Sequence, residues 1–161
     1  MANLPGIVGA VILGVSMSQF PEFTQQYQQR LGGAVDELRI ITQEFDRAAA
    51  SQGLNRDEAL ATYTGLEFLE IRASDLQDTF DRYDRHSEDL VVLGNANSFD
   101  RLKNFTHMTD SKLVERTWQA FKPAIPVTSE GLSFAGLGAL VGFAGFAVIS
   151  RLIFRRRRKI A

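Results

Sequence analysis

Leu132 to Phe154 reads LSFAGLGALVGFAGFAVISRLIF and runs straight into Arg155-Arg156-Arg157-Arg158-Lys159. No other feature restricts the fold as tightly. One charge, Arg151, interrupts the apolar run about a turn from its end. As a helix the run is roughly 34 Å long, enough to cross a hydrocarbon core of about 30 Å. Arg151 reaches the headgroups by snorkelling. Thr128-Ser129-Glu130 offers a cap and a first-turn acid. A basic block beyond a span marks the cytoplasmic side. A buried core helix would be shorter and poorer in glycine.

A second apolar run, LPGIVGAVILGVSMSQF, covers Leu4 to Phe20. It is roughly 25 Å long as a helix and can extend through Phe23, with Pro21 at a kink or in a new first turn. It reads as an uncleaved span. The rival is a signal peptide, because Ser16-Met17-Ser18 resembles a small-x-small cleavage site, although no Lys or Arg precedes the run. Both readings put the middle of the chain outside the cytoplasm.

Each run carries small residues at helical spacing. Gly6, Ala10, Gly14 and Ser18 are four apart, as are Ala135 and Ala139, and Gly138 and Gly142. Such faces let helix backbones approach closely in lipid. Their partner is the other span, a second copy or another protein. Neither run has an ionisable residue at its centre, which argues against an ion or proton pathway.

Overall composition, 45% hydrophobic and 23% charged with net charge −1, hides this partition. All nineteen acids lie between Glu22 and Glu130, against twelve Lys and Arg there, a balance of about −7. An acidic middle is no nucleic-acid surface. The absence of cysteine excludes disulfides and thiolate chemistry.

The middle is patterned for helices. Phe23, Tyr27, Leu31, Ala34, Leu38, Ile41, Phe45 and Ala48 recur every three or four residues. Ser51-Gln52-Gly53-Leu54-Asn55 is a turn, with Gly53 as a C-cap and Asn55 as an N-cap. A second helix is expected from Arg56 to about Leu93, with a stripe through Leu60, Tyr63, Leu66, Leu69, Ala73, Leu76, Phe80 and Tyr83. A short turn between long amphipathic helices implies antiparallel packing. That register places Phe45 near Ala61, and Leu38 near Phe68 or Leu69. Beyond Gly94-Asn95-Ala96-Asn97, two short amphipathic helices are expected, broken near Thr109-Asp110. They either pack on the hairpin base or lie on the bilayer, and packing is preferred because the hairpin alone is a thin core. Trp118, Phe121 and the basic residues Arg155, Arg156, Arg157, Arg158 and Lys159 fit interfacial anchors.

No pattern carries catalysis. Asp75, Asp78, Asp81 and Asp84 lie on a continuous helix, which suits a solvated face with Arg82 and Arg85 in i,i+4 pairs better than a calcium loop. His86 and His107 lack a metal-site partner and are expected at the surface or an interface. Ser87 cannot face His86 from the next position. An enzyme would need a carboxylate pair such as Glu67 and Glu70, and no pocket signal accompanies them. Asn104-Phe105-Thr106 is a bare sequon match.

Ser18-Gln19-Phe20-Pro21-Glu22-Phe23, Gln26-Tyr27 and the stretch Gln29 to Leu38 (QRLGGAVDEL) resemble a family of bacterial inner-membrane proteins catalogued as domain of unknown function 2937. The resemblance implies a proteobacterial inner-membrane setting and no activity.

The expectation is an all-α membrane protein. Two transmembrane helices flank an extracytoplasmic antiparallel helical hairpin with short amphipathic helices. Residues 1–22 form an N-terminal transmembrane helix or signal anchor, 23–126 a periplasmic helical domain, 127–154 the C-terminal span and 155–161 a basic cytoplasmic tail. The expected role is a non-catalytic accessory or scaffolding subunit of an inner-membrane complex, without a cofactor or metal. It would dock through its small-residue spans and its hairpin. Its partners are other membrane-protein subunits and the bilayer, with anionic lipid at the tail an optional addition. The alternative is a self-associating envelope protein or sensor, a homo-oligomer without a foreign partner.

Overall fold

The computed structural model describes residues 4–123, 125 and 127–157, with side chains as far as Ser150. The described residues form seven α-helices, a single 3-10 turn at Phe105–His107 and no strand. The helices are α1 (Leu4–Ser18), α2 (Phe20–Ser51), α3 (Arg56–Ala61), α4 (Glu67–Gly94), α5 (Ser98–Lys103), α6 (Ser111–Ala120) and α7 (Ser129–Arg157). Two stretches are long and apolar enough to cross a membrane, one within Leu4–Ser51 and the other at Ser129–Ser150. The chain divides into a terminal unit, residues 1–26 and 118–161, and a central unit, residues 27–117.

In the terminal unit, α1 and α7 pack along their lengths. Ser18 ends α1, its Oγ donating to the carbonyl of Val15 at 2.7 Å. Pro21 falls in the first turn of α2, where a missing N–H leaves no intrahelical bond unmade. Phe134 is fully buried and stacks on Phe20 with ring centroids 5.4 Å apart.

In the central unit, the buried side of α2 runs through Tyr27, Leu31, Val35, Leu38, Thr42 and Ala49. The sequence reading placed Ile41 and Ala48 on that side, and both are exposed. Thr42 replaces Ile41 because its hydroxyl donates to the carbonyl of Leu38 at 2.8 Å, so its polar atom is satisfied inside the fold.

The expected single helix from Arg56 to Leu93 is broken. Asn55 and Glu58 form a reciprocal capping box that starts α3, and the Thr62 hydroxyl turns back to the carbonyl of Ala59 at its end. The chain then passes Gly65 at φ +86 and restarts as α4. This interruption sets α4 back relative to α2. Phe45 therefore meets Phe80 at 5.1 Å and Tyr63 at 6.5 Å, where Ala61 was expected. Arg56 lies over the Phe80 ring, 4.6 Å from its centroid, and grips both oxygens of Asp46 at 2.8 and 2.6 Å. That hydrogen-bonded pairing holds the Asp46 carboxyl below its ordinary range and pushes the Arg56 guanidinium up. Both groups are partly solvated, so the pair adds little stability beyond the Phe80 contact.

Gly65 holds a left-handed conformation with nothing within 4 Å of where a Cβ would stand. Gly65→Ala therefore tests backbone strain alone. It should lower the stability of the central unit by about 1 kcal/mol, read by chemical denaturation.

The third part of the central unit packs inward. Asn97 caps α5 by accepting from the backbone of Asp100 at 2.9 Å. Asp110 caps α6 by accepting from the backbone of Lys112 and Leu113 at 2.9 and 3.0 Å. Leu113 then joins Tyr27, Leu31 and Leu93 in one core, with Met108 and Val114 packed beside it.

Candidate functional site

Three features of the described residues could carry function: the contact between α1 and α7, a groove beside it, and a polar cluster inside the central unit.

The α1–α7 contact is built on glycine. A Cβ at Gly142 would collide with the backbone carbonyl of Gly9, and one at Gly138 with the carbonyl of Leu13. A Cβ at Gly14 would stand 3.1 Å from the carbonyl of Ala135 and 3.4 Å from the Ala139 Cβ. Missing side chains let these backbones touch, and the close approach multiplies dispersion contacts. The small residues expected to dock on a partner thus meet each other within the chain. Gly6 and Ser18 are buried as well, whereas Ala10, Ala135 and Ala139 are half-buried.

Gly9 was missed in the sequence. The strict i+4 series through Gly6, Ala10 and Gly14 drew attention past it. All three glycines of α1 are nonetheless buried, together with Ser18.

A groove of about 1130 Å³ opens alongside. Ala10 and Gly14 of α1, Ala135 and Ala139 of α7, and Trp118 and Phe121 are among the residues that line it. Trp118, 69% exposed, lies edge-on to Phe23 at 6.1 Å and stacks with Phe121 at 6.4 Å. Of the expected anchors, Arg155, Arg156 and Arg157 continue the helical backbone of α7, and Arg158 and Lys159 lie outside the described residues.

The polar cluster joins α4 to the segment around Asp110. Asp89, 5% exposed, accepts from the Thr109 hydroxyl at 2.7 Å and faces His107 Nδ1 at 2.9 Å. Asp110 Oδ2 faces Arg82 Nη2 at 3.0 Å and His86 Nε2 at 3.1 Å. His86 Nε2 is also 3.1 Å from Arg82 Nε. A neutral ring can donate to Asp110 or accept from Arg82 through that nitrogen, not both. Burial pushes the Asp110 carboxyl up. The Leu113 N–H, the Arg82 charge, the Lys112 N–H and the His86 bond outweigh it and hold the group below its ordinary range. Burial, with the negative charge of Asp89 and Asp110, pushes the Tyr27 hydroxyl up to about 12.

Here the sequence reading is corrected on two points. His86 is buried rather than superficial, and His107 is half-buried. Arg82 leaves its i,i+4 carboxylate to reach Asp110 across the fold. The signal was present: the α4 stripe Phe80, Tyr83 continues through His86 and Asp89 to Leu93 at helical spacing. Polar residues were assigned to the wet face by type rather than by position.

Chemically, the cluster is a tether. Tyr27 Oη, His86 Nδ1 and Ser87 Oγ are buried without a hydrogen-bond partner among the described residues. The described residues hold no group of three His, Cys, Asp or Glu placed to bind a metal ion. Asp75, Asp78, Asp81 and Asp84 are all exposed, as are Glu67 and Glu70.

A family model described as protein of unknown function (DUF2937) matches residues 3–159, nearly the whole chain. No curated protein and no solved structure matches it.

Proposed function

We propose that this chain, which belongs to the DUF2937 family of proteins of unknown function, is a non-catalytic accessory or scaffolding subunit of a bacterial inner-membrane complex. In this reading α1 and α7 cross the membrane as a pair and the basic tail stays in the cytoplasm. The central unit stands in the periplasm as a helical hairpin, α2 against α3 and α4, with α5 and α6 at its base. The glycine contact supports retention of α1 as a span, because removal of α1 would leave the contact face of α7 bare. It also shifts docking away from the small-residue faces, which the two spans use on each other.

One observation carries the docking role. Leu66, Phe68 and Ile71 at the start of α4 are 65%, 70% and 53% exposed. Three large apolar side chains within six residues, on a unit that also exposes Val91 and Phe105, are characteristic of a contact surface. Glu67 and Glu70 stand among them, and Arg72, directly after Ile71, pairs with Asp75 at 3.4 Å. A second copy would bring like charge to this face, which favours a foreign partner of basic and apolar character.

Isolation of the intact chain from gently solubilised native membranes, followed by mass measurement of intact partners, tests this role. A foreign chain should be recovered in fixed stoichiometry, and Phe68→Asp should reduce that recovery at least tenfold. Recovery of the protein alone, or only with copies of itself, overturns the proposal and favours the self-associating alternative.

A further inference from the structure

We infer that the groove beside the α1–α7 pair is a binding site for one acyl chain of a phospholipid in the periplasmic leaflet. The inference rests on the membrane placement proposed above. The groove extends along α1 from Ala10 to Gln19. At 1.5 Å per residue that is about 14 Å, half of a hydrocarbon core about 30 Å thick. It is therefore one leaflet deep. A partner's membrane-spanning helix would need a seat about twice as long.

The chemistry of the lining changes along that depth. Ala10, Val11 and Ala139 lie at the inner end. Ser18, Gln19 and Trp118 lie at the other, where α1 gives way to α2. Apolar walls with a few polar groups at one end match an amphiphile, tail inward and headgroup at the rim. Trp118 belongs at that level, since tryptophan favours the boundary between headgroup and hydrocarbon. A volume of about 1130 Å³ is ample for one acyl chain. Val11 and Val15 of its lining are 61% and 62% exposed.

The test uses the full chain. It is extracted from membranes, washed in mild detergent and weighed intact under non-denaturing conditions. The expected result is a one-to-one phospholipid adduct that survives washing. Val15→Trp, which fills the groove, should lower the retained fraction at least tenfold. Ile12→Trp, on the same helix and outside the groove, should leave it unchanged. A second readout needs no substitution. Trp118 is the only tryptophan, so phospholipid brominated on its acyl chain, added to delipidated protein, should quench its fluorescence and saturate at one equivalent.

Absence of the adduct, equal loss in both variants, quenching that climbs without saturation, or a foreign helix in place of the lipid overturns the inference. A chain released from membranes by alkaline carbonate would refute the membrane placement instead. An integral chain without bound lipid refutes the lipid site alone.

Discussion

Gly142→Leu will separate α1 from α7. The new side chain must pass through the backbone of Gly9, whose carbonyl and carbon lie where even a Cβ would sit, with the Ala10 nitrogen 3.0 Å away. Flexible side chains can yield by changing rotamer, but a helical backbone yields only by moving the whole helix. Overpacking in close-packed interiors costs about 1–3 kcal/mol even where side chains can shift. Here the cost should reach about 3 kcal/mol or more, enough to open the pair. Separated helices can each stay helical, so helix content is a poor readout. The distance between spin labels at Val8 and Val148 reads the pair directly, and the chain has no native cysteine to confuse the labelling. Wild type should give one narrow distance distribution, and Gly142→Leu a broad, longer one. Gly145→Ala is the control, because nothing lies within 4 Å of that position. It should leave the distance unchanged and alter stability by no more than about 1 kcal/mol, in the favourable direction given the helix propensity of alanine.

The second large effect is expected at Asp110. Its side chain is 12% exposed and does two things. One oxygen caps α6, and the other answers Arg82 and buried His86. Asp110→Ala removes both, at about 1 kcal/mol for the cap and more for the orphaned partners. A total near 3 kcal/mol is expected for the central unit. Asp110→Asn keeps a capping oxygen and removes the charge, so it should cost about half as much. Hydrogen exchange over α6 would resolve the two, because loss of the cap exposes amides at the start of that helix first.

The pH dependence follows from the direction of the Asp110 shift. The folded group titrates below its ordinary value of 3.8. Its stabilising contribution is therefore complete above the unfolded carboxylate range and is lost as pH falls through the depressed folded value. Wild type should lose this part of its stability below about pH 4. Asp110→Ala should lack that part of the transition, because it never had the contribution.

These two sites differ in how far the sequence revealed them. The two long apolar helices were visible because a long, uncharged run is itself the signal. The turn at Gly53 and the cap at Asn55 were visible because few residues accept those conformations. The break at residues 62–66 was not. Thr62, Tyr63 and Thr64 fit a helical stripe by type, and only Gly65 opposes it. That one missed break moved the partner of Phe45 from Ala61 to Phe80.

The polar cluster was missed for a different reason. Hydrophobic patterning treats His86 and Asp89 as solvent-facing, although each occupies a core position on α4. Their burial is tolerated because Thr109, His107, Arg82 and the start of α6 supply partners from a distant stretch of chain. No local pattern announces such partners. The glycine contact lay between these extremes: the small residues were plain, but which of them touched, and whether they faced each other or another molecule, required the packed helices.

The proposed topology can be tested with single cysteines. Ser74, exposed on α4, and Ala161, in the basic tail, would each be replaced by cysteine and exposed to a membrane-impermeant maleimide. In intact spheroplasts Ser74→Cys should label fully, and Ala161→Cys only after the membrane is permeabilised. Labelling of Ala161→Cys in intact spheroplasts, with Ser74→Cys protected, would contradict the account.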